Sequence, residues 1–167
     1  MRTLIQYISK SDTVDYYWNP NIISTVPKIG ETVRRETNQL AVSYDKQVAP
    51  SSGNISIFKV NNQGHEDDLR QTVSAKSNLI KMADDGKGFS IPIFQSTFNT
   101  PSASYYFVLD NGFVKALESN EPLIGIQKGI WTVTTGNISN ELLVLVLGST
   151  FANLISQTLT KFSILLA

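Results

Sequence analysis

With 167 residues, 41% of them apolar and 17% charged, the chain has the size of one domain with room for appendages, and enough apolar side chains to bury a core. Its formal net charge is zero, so no broad field draws it to nucleic acid, and near-neutrality favours association or attachment to something larger. The absence of cysteine excludes thiol catalysis, disulfides and thiolate metal sites together.

Residues 1–20 read as an N-terminal extension or the remnant of a preceding domain. Leu4-Ile5-Gln6-Tyr7-Ile8 is too short for the apolar core of a signal peptide, and no small-residue cleavage site follows. The chain is therefore expected either to be cytoplasmic or to lack its own beginning. Tyr16, Tyr17 and Trp18 form an aromatic cluster that stops at Asn19-Pro20, a turn signal. The run Ile22-Ile23-Ser24-Thr25-Val26 predicts a strand that ends, or lies at an edge, where Pro27 cannot donate to a ladder. Leu40, Val42 and Tyr44 alternate at period two and predict a half-buried strand. Residues 45–54 read as loop and turn, after which Ile55 and Ile57 alternate again.

Asn61-Asn62-Gln63-Gly64 has hairpin-turn composition. Short strands are predicted around 69–73 and 79–82. Asp84-Asp85-Gly86-Lys87-Gly88 then supplies a hairpin turn in which glycine takes the positive φ. Phe89, Ile91 and Ile93 share a phase, with Pro92 in the opposite phase implying an edge or a bulge. Tyr105-Tyr106-Phe107-Val108-Leu109 is apolar on both faces, as expected of a strand in the middle of a sheet whose outer side is covered. Asp110-Asn111-Gly112 closes it, and 113–117 and 130–135 are further strand candidates.

These short strands, with no helical period before Gly136, predict an all-β antiparallel sandwich over 21–136. Residues 137–167 change character. Leu142-Leu143-Val144-Leu145-Val146-Leu147 is a strand candidate, and Phe151, Leu154, Ile155, Leu159, Phe162, Leu165 and Leu166 fall on one helical face. A C-terminal amphipathic helix is expected outside the sandwich, either covering it or beginning a truncated second domain. Membrane contact through this tail is the weaker alternative, because polar residues interrupt the apolar run.

The order of several short motifs resembles the bacterial S-layer type of immunoglobulin-like domain, the SbsA-type Ig-like family, over roughly 22–135. A proline-then-glycine opening is matched by Pro27-Lys28-Ile29-Gly30, and a strand running into a polar-x-x-valine loop by Leu40 to Val48. A glycine-led isoleucine strand is matched by Gly53-Asn54-Ile55-Ser56-Ile57. Asp84-Asp85-Gly86 resembles the family's hairpin, Tyr105-x-Phe107-x-Leu109 its tyrosine-led strand, and Trp131-Thr132-Val133-Thr134-Thr135 its closing strand. Lys115 and Ala116 stand where an aspartate is common, and Ser119 where glycine is common, departures that weigh against carrying over a cation-binding loop. The resemblance implies an immunoglobulin-like fold and a structural or adhesive module of a cell-surface or extracellular protein, without catalysis of its own. Its partners would be other domains of the same or neighbouring surface proteins.

Chemistry-bearing motifs are sparse. His65 is the single histidine, reads as a solvated loop residue, and leaves no second histidine for a metal pair. Glu66, Asp67, Asp68, Asp84 and Asp85 lack the alternating aspartates and closing glutamate of a calcium loop. Gly86-Lys87-Gly88 lacks the longer frame of a phosphate loop. No carboxylate pair is singled out for glycoside hydrolysis, so a hydrolase is the distant alternative, and no catalytic residue, metal or cofactor is assigned. Asn54-Ile55-Ser56 and Asn137-Ile138-Ser139 match the N-glycosylation acceptor, which matters only in a eukaryotic secretory pathway. Asn137 is the better placed of the two, in a loop after the last strand. Tyr16, Tyr17, Trp18 and Tyr106 are the candidate interaction surface. As exposed aromatics they would suit a carbohydrate-binding sandwich, and as buried ones the core. Trp131 is expected beneath the Tyr105 strand.

Overall fold

The computed structural model describes residues 17–137 other than 62 and 64. The expected strand at 4–8, Tyr16 and the strand-plus-helix tail lie outside the described residues.

Period-two alternation becomes strands wherever one face finds a core. In β3 (Gln39–Tyr44), Leu40, Val42 and Tyr44 are buried while Gln39 and Ser43 face solvent. It lies between β1 (Ile22–Val26) and β8 (Gly88–Pro92), and β7 (Lys81–Met82) completes an antiparallel four-stranded sheet in the order β1-β3-β8-β7. A five-stranded sheet runs in the order β2-β11-β9-β5-β6. Its members are β2 (Thr32–Val33), β11 (Ile126–Thr135), β9 (Ser104–Leu109), β5 (Asn54–Lys59) and β6 (Asp68–Ser74). Every pairing in it is antiparallel except β2 with β11. The small pair β4 (Val48–Pro50) and β10 (Val114–Ala116) joins two loops at one end.

Buried side chains of both large sheets form a single cluster, from Leu40, Val42, Phe89 and Ile91 of one to Ile55, Ile57, Tyr105, Phe107, Trp131 and Val133 of the other. The described residues thus form an all-β sandwich, with no helix among them. β9 occupies the middle of the larger sheet, as expected. Phe107 stacks on Trp131 with centroids 4.0 Å apart, and Phe98 meets Tyr105 edge-on at 4.9 Å. Two polar ties cross between the sheets. Trp131 Nε1 donates to Pro27 O at 2.9 Å, just past the end of β1. Gln71 of β6 donates to Pro92 O at 2.8 Å and accepts from Phe94 N and Thr97 Oγ1. Both bury a polar group only by pairing it.

Several expectations are refined. Tyr17 and Asn19, assigned to the extension, are buried, with Tyr17 part of the core. The packed unit therefore begins before residue 21. Pro92 is the last residue of an interior strand, yet β7 pairs only with Phe89 and Ser90. At Pro92 no ladder bond is asked of the missing N–H on that side. β2 and β4 fall in segments read as turn and loop, because two- and three-residue strands carry no period. Gly125 packs so closely on β9 that a Cβ would lie 1.8 Å from Leu109 O.

Candidate interaction surface

The end of the sandwich that carries residues 45–53, 83–88 and 110–125 is a knot of loops tied by backbone bonds. Val48 N donates to Gly86 O at 2.9 Å, Leu117 N to Gln47 O at 2.9 Å, and Ser52 N to Gly112 O at 2.9 Å. Gln47 Nε2 adds a bond to Asp85 O at 3.1 Å. The chain enters here as well, since Asp45 N donates to Asn21 O. The turn at 116–121 closes through Asn120, whose φ is 61° and whose Oδ1 accepts from Lys115 Nζ. Left-handed backbone is tolerated better by asparagine than by most residues.

A groove of about 580 Å³ opens on this knot, lined by Asn21, Lys46, Gln47, Leu117, Glu118 and Leu123 among others. Its size is within the roughly 300–1,000 Å³ of small-ligand clefts, although it is more polar than most of them. Apolar side chains are presented around the same end: Leu117 and Ile124 are each 56% exposed, and Trp18 is 80% exposed. Asn19 Nδ2 donates to Ile124 O, which brings the backbones bearing Trp18 and Ile124 together. Tyr17 and Asn19 both turn inward, so Trp18 between them is turned out, at a φ of 54° that a bulky residue rarely adopts.

Of the aromatic candidates among the described residues, Trp18 alone is exposed. Tyr17 is buried, and Tyr106 is a correction: it is covered on the outer face of the five-stranded sheet. Phe58 stacks on its ring at 5.1 Å, Lys128 Nζ lies 5.2 Å from the ring centre, and its hydroxyl donates to Asp67 Oδ2 at 3.0 Å. Asp67 also accepts from Lys128 Nζ at 2.6 Å and from Asn61 N at 2.9 Å. Donation from Lys128, then from Asn61 and Tyr106, holds its carboxyl down at about 2. Burial, then Asp67, raises the Tyr106 phenol, and Asp67 raises the Lys128 ammonium. The cluster is a polar clasp across β5, β9 and β11.

Two further carboxylates have local tasks. Asp85 Oδ1 accepts from Lys87 N inside its turn, and Asp110 Oδ2 accepts from Asn54 N at 2.8 Å. His65 and Glu66 are exposed. Among the described residues no three His, Asp or Glu side chains are grouped as a metal site would need. Asn54 opens β5 and Asn137 follows β11, both with exposed side chains. The loop knot was not read from the sequence. Its signal was Asn120-Glu121-Pro122 facing Asp45-Lys46-Gln47, two polar loops whose meeting depends on the fold.

No protein-family model matches the chain, and no curated protein does. Among solved structures, the crystal structure of CopC from Methylosinus trichosporium OB3b is similar at a TM-score of 0.47 and 13% identity, over 71% of this chain and 94% of that one.

Proposed function

We propose that this chain is a non-enzymatic immunoglobulin-like module of an extracellular or cell-surface protein, acting as a structural or adhesive unit through its loop-knot end. The observation that supports this best is strand order. β1-β3-β8-β7 facing β2-β11-β9-β5-β6 corresponds to the immunoglobulin order A-B-E-D facing G-F-C with an added C′ strand, and with a short A′ strand beside G. The loop knot then corresponds to the end where such sandwiches present their variable loops. The inter-sheet disulfide of antibody domains has no counterpart, and the buried tryptophan stands on β11 rather than β5. The SbsA-type assignment is part of this proposal, supported by the same order of motifs. A non-enzymatic role accords with the engagement of Asp67, Asp85 and Asp110 in a clasp and turns. The carbohydrate reading through Tyr16, Tyr17, Trp18 and Tyr106 loses support, since Tyr17 lies in the core and Tyr106 is covered on the outer sheet face.

Binding of the whole chain to intact bacterial cells, and to purified surface-protein domains, tests the proposal. Trp18→Gly and Leu117→Glu should abolish retention without lowering the thermal midpoint, because both side chains are exposed and glycine relieves the left-handed backbone at Trp18. Retention unchanged by both substitutions, or turnover of a polysaccharide lost on changing one carboxylate, would overturn it.

A further inference from the structure

Away from the loop knot, two clefts meet at Asn38. One, of about 380 Å³, is lined by Arg35, Glu36, Thr37, Asn38, Gln95 and Asn99 together with Ile93. The other, of about 450 Å³, includes Asn38, Lys81, Asn78 and Ser90. Their walls are rich in unspent donors. Arg35 makes one hydrogen bond, from Nη2 to Asn99 O at 3.1 Å. The ion pairs among the described residues join Lys46 to Asp45, Lys59 to Asp68 and Lys128 to Asp67, so none neutralises Arg35 or Lys81. Glu36 is the one carboxylate on either lining.

The wall is held from behind. Arg70 Nη2 donates to Ser96 O at 2.6 Å and to Asn99 Oδ1 at 2.9 Å, while its Nε is buried without a partner. With Oδ1 of Asn99 engaged this way, its Nδ2 is the group left to a ligand. Arg70 is therefore a positioning residue, not a contact. Arginine suits carboxylates through its planar fork, and amides and hydroxyls suit the hydroxyls of a sugar.

We infer that the joined clefts bind an acidic saccharide, its carboxylates meeting Arg35 and Lys81 and its hydroxyls meeting Thr37, Asn38, Gln95 and Asn99. The site stands on these donors and not on the loop-knot surface. An acidic peptide would present carboxylates without the ring hydroxyls that the amide lining matches.

Titration of the isotopically labelled chain with oligogalacturonate, followed by amide chemical shifts, tests it. Shifts centred on Thr37, Asn38, Gln95 and Asn99 are expected, with the fully methyl-esterified oligomer about tenfold weaker or worse, as loss of a charge-assisted contact implies. Arg35→Gln and Lys81→Gln should each weaken the acid and not the ester, and Glu36→Gln should tighten the acid. These three side chains are exposed, so the melting midpoint serves as the control for folding. Shifts elsewhere, equal binding of acid and ester, or a polyglutamate peptide that binds as tightly as the saccharide would each overturn the assignment.

Discussion

Tyr105 and Phe107 show how little a single side chain decides by itself. Both are fully buried, and both are anchored by ring contacts to Phe98, with Phe107 also stacked on Trp131. Tyr105→Ala and Phe107→Ala should each cost about 3–5 kcal/mol in urea unfolding, the range for a large aromatic removed from a packed core. Tyr44 behaves differently. Its ring packs against Phe89 at 6.3 Å, but its hydroxyl is buried with no partner among the described residues, and burial raises its phenol well above the ordinary value. Tyr44→Phe should leave stability unchanged or raise it by up to about 1 kcal/mol, because a buried unpaired hydroxyl is removed and the ring is kept. A loss comparable to that of Phe107→Ala would mean the hydroxyl is paired in solution.

Elements are joined by polar clasps as well as by ladders. Asp67, just before β6, gathers Tyr106 of β9 and Lys128 of β11. Its folded carboxyl lies near 2 against an ordinary 3.8. A depressed folded value means the contribution is complete above the unfolded value and is lost as pH falls through the folded one. Urea midpoints should therefore show wild type above Asp67→Asn near neutrality, with the gap closing between about pH 4 and about pH 2. A gap that persists unchanged below that window would remove Asp67 from this role. The same clasp explains why β9 is apolar on both faces: one lies in the core and the other lies under Phe58 and the Lys128 stem.

At the scale of the molecule, the two sheets share one cluster of side chains, and Trp131 and Gln71 tie them together. Unfolding should be one cooperative step. In a Trp18→Phe background Trp131 is the remaining tryptophan, so its fluorescence and far-ultraviolet dichroism should report coincident transitions. Separate transitions would mean that the sheets come apart independently. At the same scale, the loop-knot groove and the clefts at Asn38 are formed by separate sets of loops and strand ends.

Alternation in 40–44, 55–57 and 105–109, and the turn residues between them, determined the all-β class of the described residues, the core phase of β3, β5 and β9, and the central place of β9. These depend on residues a few positions apart, where side-chain direction follows from the backbone period. The parallel β2–β11 contact, the β4–β10 tie, the burial of Tyr17 and Tyr106, and the meeting of Arg35 with Asn99 were decided by tertiary structure alone. Each joins groups far apart in the chain or in strands too short to show a period. Whether an aromatic such as Trp18 faces out or one such as Tyr17 faces in depends on what the rest of the sandwich brings over it, which no local pattern encodes.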